Sequence, residues 1–252
     1  PKSEFKLTDK FVEQYDGKEP EWGPLGKIVF YRTYARPLED GKKVEEYWQT
    51  VRRVVEGTFT IQKTHCDMFG LPWNQMKAQL SAQKMYDKMW NFKFLPPGRG
   101  LWAMGTPYIY ERGSASLFNC AFVSTKDLAN EFSAPFTFLM DMSMLGVGVG
   151  SDTRGAGTVK IKKPKVGEYT FTVEDSREGW VKLIETILNS YVGSDVYPKT
   201  IDYSKIRKAG EPLKGFGGTA SGSKSLEECI ENIKAILDPL IGEQITSSAI
   251  VD

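Results

Sequence analysis

Apolar residues in the first third of the chain recur with helical period. Between residues 42 and 57, Val44, Tyr47, Trp48, Val51, Val54 and Val55 share one face, while Arg52, Arg53 and Glu56 fall on the other, and the pattern predicts an amphipathic helix. A second helix is predicted over Trp73–Phe92, where Ala78, Ala82, Met85, Met89 and Phe92 trace one face and Pro96-Pro97 forbids continuation. Ahead of both, residues 1–37 mix aromatics with Gly and Pro, as in Trp22-Gly23-Pro24, and read as an extended arm with a short strand at Lys27–Tyr34. Residues 1–95 are thus expected to form an N-terminal arm and helical region.

Beyond Pro97 the texture becomes that of an α/β fold, with short apolar strands, glycine-bearing turns and intervening helices. Leu117–Thr125 reads as a buried strand, Glu131–Leu145 as a helix and Gly146–Ser151 as a second strand. A basic stretch follows at Val159–Val166, with Lys160, Lys162, Lys163 and Lys165. Two capping boxes, Asp175 with Glu178 and Ser225 with Glu228, announce helices through Trp180–Tyr191 and Ile230–Leu240. Between those helices lies the glycine-rich segment from Lys214 to Gly222. No internal repeat is visible.

Composition removes several classes of function. The chain has 252 residues, and 33 Lys and Arg against 32 Asp and Glu leave a formal net charge of +1, so nothing global favours nucleic acid or a membrane surface as partner. No signal-peptide order stands at the N-terminus, and the chain reads as soluble and cytoplasmic. It begins at Pro1 without Met and stops within an apolar run, and is expected to be part of a longer protein. With 3 cysteines (Cys66, Cys120, Cys229) and His65 as the single histidine, neither a disulfide framework nor a metal-ligand cluster is expected. The Ser-His-Asp triad and Cys-His protease chemistry lack the histidines they need.

The remaining candidates each have a bland reading. A lone strand cysteine such as Cys120 is more often an inert core filler, and Cys229 falls on the apolar face of the last helix. Cys66 is expected in a loop beside His65, without a second partner to make it reactive. Gly146-Val-Gly-Val-Gly150 suits either close packing or a ligand approaching the backbone, and lacks the strand-turn-helix context of a dinucleotide fingerprint. Pro97-Gly98-Arg99-Gly100 offers amides and a guanidinium in one tight turn, fit for an anion, though a surface turn reads the same. The lysine run is more often a solvated hairpin than a phosphate site. The Gly215–Gly222 loop is suited to ordering on a ligand.

Taken in order, Leu95-Pro-Pro-Gly-Arg-Gly-Leu-Trp-Ala-Met-Gly-Thr106, Asn119-Cys-Ala-Phe-Val-Ser-Thr125, Gly146-Val-Gly-Val-Gly150, Asp175-Ser-Arg-Glu-Gly-Trp180, and Ile206-Arg207 with Lys214-Gly-Phe-Gly-Gly-Thr-Ala-Ser-Gly222 resemble the class II, adenosylcobalamin-dependent ribonucleotide reductases. The nearer likeness is to their ribonucleoside-triphosphate reductase branch, and it runs from Phe11 to Asp252. The resemblance implies a helical N-terminal region followed by the first half of a ten-stranded α/β barrel, residues 96–252, with an effector and specificity segment over 151–222. It implies that Cys120 is one of two thiols oxidised to a disulfide as the ribose 2′-hydroxyl leaves as water. Pro97, Gly98 and Arg99 are implied near the substrate phosphates, and Asn119, Gly146, Gly148 and Gly150 near the ribose. Lys214, Gly215, Phe216, Gly217, Gly218 and Thr219 resemble the loop that couples a deoxynucleotide effector to choice of base, with Arg154 and Arg207 as further effector contacts.

By the same resemblance the cofactor is adenosylcobalamin, held mainly outside this chain. The substrate is a ribonucleotide, with the triphosphate favoured, and the reductant is thioredoxin or a similar dithiol. The radical-bearing cysteine and the second redox thiol belong to a C-terminal half, supplied as a continuation or as a second polypeptide. The branch carries an insertion at the effector site, and the segment from Gly150 to Lys214 reads as too compact to contain it. Two alternatives stand beside this reading: a catalytically inactive nucleotide-binding regulatory half, and another radical enzyme of the same barrel, such as a glycyl-radical type.

Overall fold

The computed structural model describes residues 4–38, 43–213 and 218–252. It divides into two compact units between Phe118 and Asn119, later than the boundary at residues 95 and 96 expected from the sequence. The later boundary arises because the segment after Pro97 folds as two short helices, the first of which packs against the long helix of the first unit.

The first unit is helical: α1 (Asp9–Val12), α2 (Gly26–Val29), a π-helical turn (Phe30–Tyr34), α3 (Tyr47–Met68), α4 (Gln75–Trp90), α5 (Gly98–Ala103) and α6 (Pro107–Arg112). Its core is the seam of α3 and α4, where Tyr47, Val51, Val54 and Val55 meet Ala82, Tyr86 and Met89, with Phe5, Leu7 and Val12 completing it. Burial of each such large side chain is worth about 1.5–3 kcal/mol. Two hydroxyls tie the seam, Tyr47 Oη donating to the Met89 carbonyl at 2.8 Å and Tyr86 Oη to that of Trp48 at 3.0 Å.

The expected strand at Lys27–Tyr34 is instead α2 and the π-helical turn. No strand stands in this unit among the described residues, so the segment satisfies its own backbone, Ala35 N–H reaching the Phe30 carbonyl at 3.0 Å. Phe30 is thereby buried against Trp22 and Tyr47. The helix expected to stop at residue 57 continues to Met68, which places Cys66 in its last turn rather than in a loop. Gly57 is there for close approach: a Cβ on it would lie 2.4 Å from Gly105 Cα.

The second unit holds two parallel strand pairs, each joined by a crossover helix: β1 (Cys120–Val123), α7 (Ala134–Met144), β2 (Gly148–Ser151), then β3 (Thr170–Thr172), α8 (Arg177–Ser190), β4 (Thr200–Asp202). Parallel pairing requires such a crossover. Helices α9 (Lys224–Leu237) and α10 (Ser247–Val251) complete it, with a 3-10 turn at Asp238–Leu240 where the sequence predicted further α-helix. The core gathers Leu183, Ile184 and Ile187 of α8 with Leu226 and Ile230 of α9 and with Ile161, the latter set between lysines of the basic stretch. Neither predicted capping box forms. Ser176, not Asp175, caps α8 by accepting from Gly179 N–H at 3.0 Å, and α9 starts at Lys224, so Ser225 already lies in its first turn.

Candidate active site

The parallel register of β1 and β2 pairs Cys120 with Gly148, Ala121 with Val149, Phe122 with Gly150 and Val123 with Ser151. Laterally paired residues of parallel strands share a face, so the Cys120 thiol and the Phe122 ring stand on the face where β2 contributes only hydrogens. Helix α7 packs on both strands, and Ala121, Val123 and Val149 are half-buried while Cys120 is exposed and Phe122 is 64% exposed. The burial expected for Leu117–Thr125 is therefore corrected: only four residues are strand, and their Cys120 face is open in this chain.

The two glycines of β2 are not demanded by packing. A Cβ at Gly148 would meet the Asn119 carbonyl oxygen at 3.6 Å, and one at Gly150 the Phe122 ring at 3.8 Å, both ordinary contacts. What they provide is bare backbone beside a thiol. Asn119 fixes the start of the register, its carbonyl accepting from Gly148 N–H at 2.9 Å. Gly146 has another role, ending α7 with φ at 76°, a left-handed conformation that favours glycine.

At the opposite end of the pair stands a polar knot the sequence did not announce. The Asp152 carboxylate accepts from Ser124 Oγ at 2.7 Å, from Thr125 N–H and Thr125 Oγ1 at 2.9 Å each, and from Arg154 N–H at 3.2 Å. These hydrogen bonds, the Thr125 N–H foremost, hold its carboxyl well below the usual carboxylate range. The available signal was a Ser-Thr pair closing one predicted strand and an Asp just after the next. Arg154 itself is 72% exposed at the side chain and 3.5 Å from Asp152.

A narrow antiparallel ladder joins the described residues on either side of the predicted loop: Gly210 N–H donates to Ala220, Ala220 N–H to Glu211, and Leu213 N–H to Gly218. Gly218 and Thr219 belong to this ladder, and Lys214, Gly215, Phe216 and Gly217 lie outside the described residues. At its base a cleft of about 300 Å³ is lined by Asp175, Arg177, Trp180, Arg207 and Thr219, among others. Arg207 is held there by Asp175, Nε to Oδ2 at 2.8 Å, and Arg177 by Asp141 at 2.7 Å. The lysine run is an extended segment with outward lysines, tied to the unit by Lys162 N–H on the Tyr191 carbonyl.

In the first unit, Pro97, Gly98 and Arg99 form the entry to α5 rather than a free turn. Packing dictates the glycines: a Cβ on Gly98 would stand 2.8 Å from Tyr34 Oη, and one on Gly100 2.8 Å from Pro96 Cβ. Cys229 is half-buried on α9, and burial pushes its thiol up. Among the described residues, no group of three or more His, Cys, Asp and Glu is placed to hold a metal ion, and no helix is long and apolar enough to cross a membrane.

The chain is similar to known proteins along most of its length. Residues 7–106 match the ribonucleotide reductase alpha domain, and residues 149–237 match the insertion domain of B12-dependent ribonucleotide reductase. The second match overturns the expectation that the segment after Gly150 is too compact for the insertion. A probable adenosylcobalamin-dependent ribonucleoside-triphosphate reductase of Dictyostelium discoideum is 46% identical over 99% of this chain, and the adenosylcobalamin-dependent ribonucleoside-triphosphate reductase of Euglena gracilis 42% identical over 98%. The chain spans only 35% of the length of either relative. A crystal structure of a B12-dependent, class II ribonucleotide reductase superposes with a TM-score of 0.84 at 26% identity, covering 99% of this chain and 42% of that one.

Proposed function

We propose that this chain, which belongs to the class II, B12-dependent ribonucleotide reductase family, supplies a reducing thiol and part of the nucleotide cradle of a ribonucleoside-triphosphate reductase. The observation that carries the reading is the exposed Cys120 thiol beside the bare backbone of Gly148. A sugar ring needs such a floor to bring its C2′ edge near a sulfur, and a side chain at Gly148 would occupy it. In this reading β1 and β2 are two strands of a ten-stranded barrel whose interior is the Cys120 face.

The chemistry balances as a two-electron reduction. Cys120 and a second thiol from polypeptide outside this chain form a disulfide; the ribose C2′–O bond breaks, a C2′–H bond forms and the hydroxyl leaves as water. A dithiol of the thioredoxin type returns both thiols. Adenosylcobalamin, named for the relatives, supplies the radical that starts such chemistry when bound. Its site is expected mainly outside this chain: the 530 Å³ groove of the second unit is walled by Phe132, Phe136, Met140, Ile233 and similar apolar side chains, with little to meet the amide rim of a corrin.

The cleft beside the ladder at Leu213 and Thr219 supports the reading of the 214–222 segment as the specificity element for a deoxynucleotide effector, with Arg207 and Arg177, each already paired with a carboxylate, among its lining residues. Arg99 is assigned to the substrate phosphates on the resemblance of its motif. The test is Cys120→Ser in the complete reductase. Multiple turnover with external dithiol should be lost while substrate binding stays within about twofold; retained multiple turnover would overturn the assignment.

A further inference from the structure

The segments that follow β1 and β2 are drawn together more closely than strand pairing requires. Thr125 Oγ1 donates to Asp152 and accepts from Gly155 N–H at 3.0 Å, and a Cβ on Gly155 would lie 2.3 Å from Leu128 Cδ1 and 2.4 Å from the Thr125 carbonyl oxygen. Thr125 is buried at 1% exposure, so the knot is shielded on its inner side. Within β1 itself, only Cys120, Ala121, Phe122 and Val123 pair with β2. Four residue pairs are a short ladder, and short ladders leave register weakly specified where one strand is rich in glycine. Gly148 and Gly150 have no side chains with which to lock it.

We propose that Asp152 is a positioning residue for Cys120: its carboxylate, gathering Ser124 Oγ, Thr125 N–H and Thr125 Oγ1, fixes the far end of β1 against β2 and so keeps the thiol beside Gly148. A one-residue slip would turn Cys120 to the α7 face. A shift well short of that already matters, because misplacement of a reacting group by about 1 Å costs on the order of 100-fold in rate. The inference rests on the assignment of Cys120 as a redox thiol.

The test uses the complete reductase with Asp152→Ala, Asp152→Asn and Ser124→Ala. Asn keeps one acceptor for Thr125, and its amide can donate to a reoriented Ser124 hydroxyl, so it should retain most of the activity. Asp152→Ala should lower kcat by about 10- to 100-fold with KM within about twofold. Amide exchange should quicken at Gly148, whose N–H bonds Asn119, while β3 and β4 exchange as before. Alkylation of Cys120 should also change in rate. Ser124→Ala, which removes one donor and leaves the backbone bond, should show the same pattern more weakly and keeps the question decidable if the Ala variant at Asp152 does not fold. Unchanged kcat and Gly148 exchange in both Ala variants would overturn the proposal, as would faster exchange throughout the second unit, which would mark a general stability role. Cys120→Ser run in parallel separates the two failures: if it retains turnover, the thiol assignment falls; if it is dead while the Asp152 variants are normal, only the positioning role falls.

Discussion

Gly148 lies beside Cys120 on the parallel pair, hydrogen-bonded through its N–H to the Asn119 carbonyl at 2.9 Å, with no contact closer than 3.6 Å awaiting a Cβ. A glycine kept by packing would show a clash at that position, as Gly57 and Gly155 do. Gly148 shows none, so packing among the described residues does not account for its missing side chain.

Gly148→Ala separates these roles. The folded protein should gain or lose no more than about 1 kcal/mol, since alanine fits and restricts the unfolded chain. If the ribose lies on this backbone, KM for substrate should rise about tenfold, equivalent to about 1.4 kcal/mol of lost binding. Chemical denaturation and steady-state kinetics on one preparation check both halves.

Gly57→Ala should do the reverse and damage the first unit. The new methyl would meet Gly105 Cα at 2.4 Å and Gly105 N at 2.6 Å, and neither is the end of a flexible side chain. Overpacking of this kind costs about 1–3 kcal/mol, and the upper end is expected where backbone meets backbone. Gly23→Ala, with nothing within 4 Å of its Cβ position, is the control. The difference in urea midpoint at constant m-value measures the effect.

Changes at Lys214 or Phe216 should alter base preference more than overall rate. The described residues on either side of Lys214 and Phe216 are joined by backbone hydrogen bonds, Gly210 to Ala220 and Leu213 to Gly218, and neither position contributes to them. Turnover of the four ribonucleotides with each deoxynucleotide effector is the measurement, and an unchanged preference pattern would count against the loop's role.

The helical seam was legible because α3 and α4 bury one face each, which writes a 3.6-residue period into Tyr47–Val55 and Ala78–Met89. The end of α3 was not legible, because its continuation past Gly57 depends on a close contact with Gly105 that only the fold brings about. The segment Phe30–Tyr34 misled for a related reason: its aromatics suit a strand, and the lack of a partner strand decided for helix. At the candidate site, Cys120 and the glycines of β2 were found through the order of their motifs. Asp152 had only the weak signal of a Ser-Thr pair at the end of the preceding strand, since its meaning depends on Ser124 and Thr125, 28 and 27 residues away.

The depressed carboxyl of Asp152 makes that residue readable in acid. A group whose folded pKa lies below its unfolded value adds stability that is fully present above the unfolded pKa, about 3.9 for Asp, and is lost as pH falls through the folded value. Protection of the Gly148 amide in the wild type should therefore exceed that in Asp152→Asn by a constant amount above about pH 5. The difference should shrink once pH drops below about 4 and continue shrinking toward the folded pKa. Asp202, also depressed by its hydrogen bonds from Ser204, titrates in both proteins and cancels from the comparison. Exchange measured at fixed temperature between pH 2 and 6, corrected for the intrinsic rate, gives the curve directly. A difference that stays flat into acid would mean that the carboxylate's charge contributes nothing to the knot, and that its hydrogen bonds are no stronger than those an amide would make.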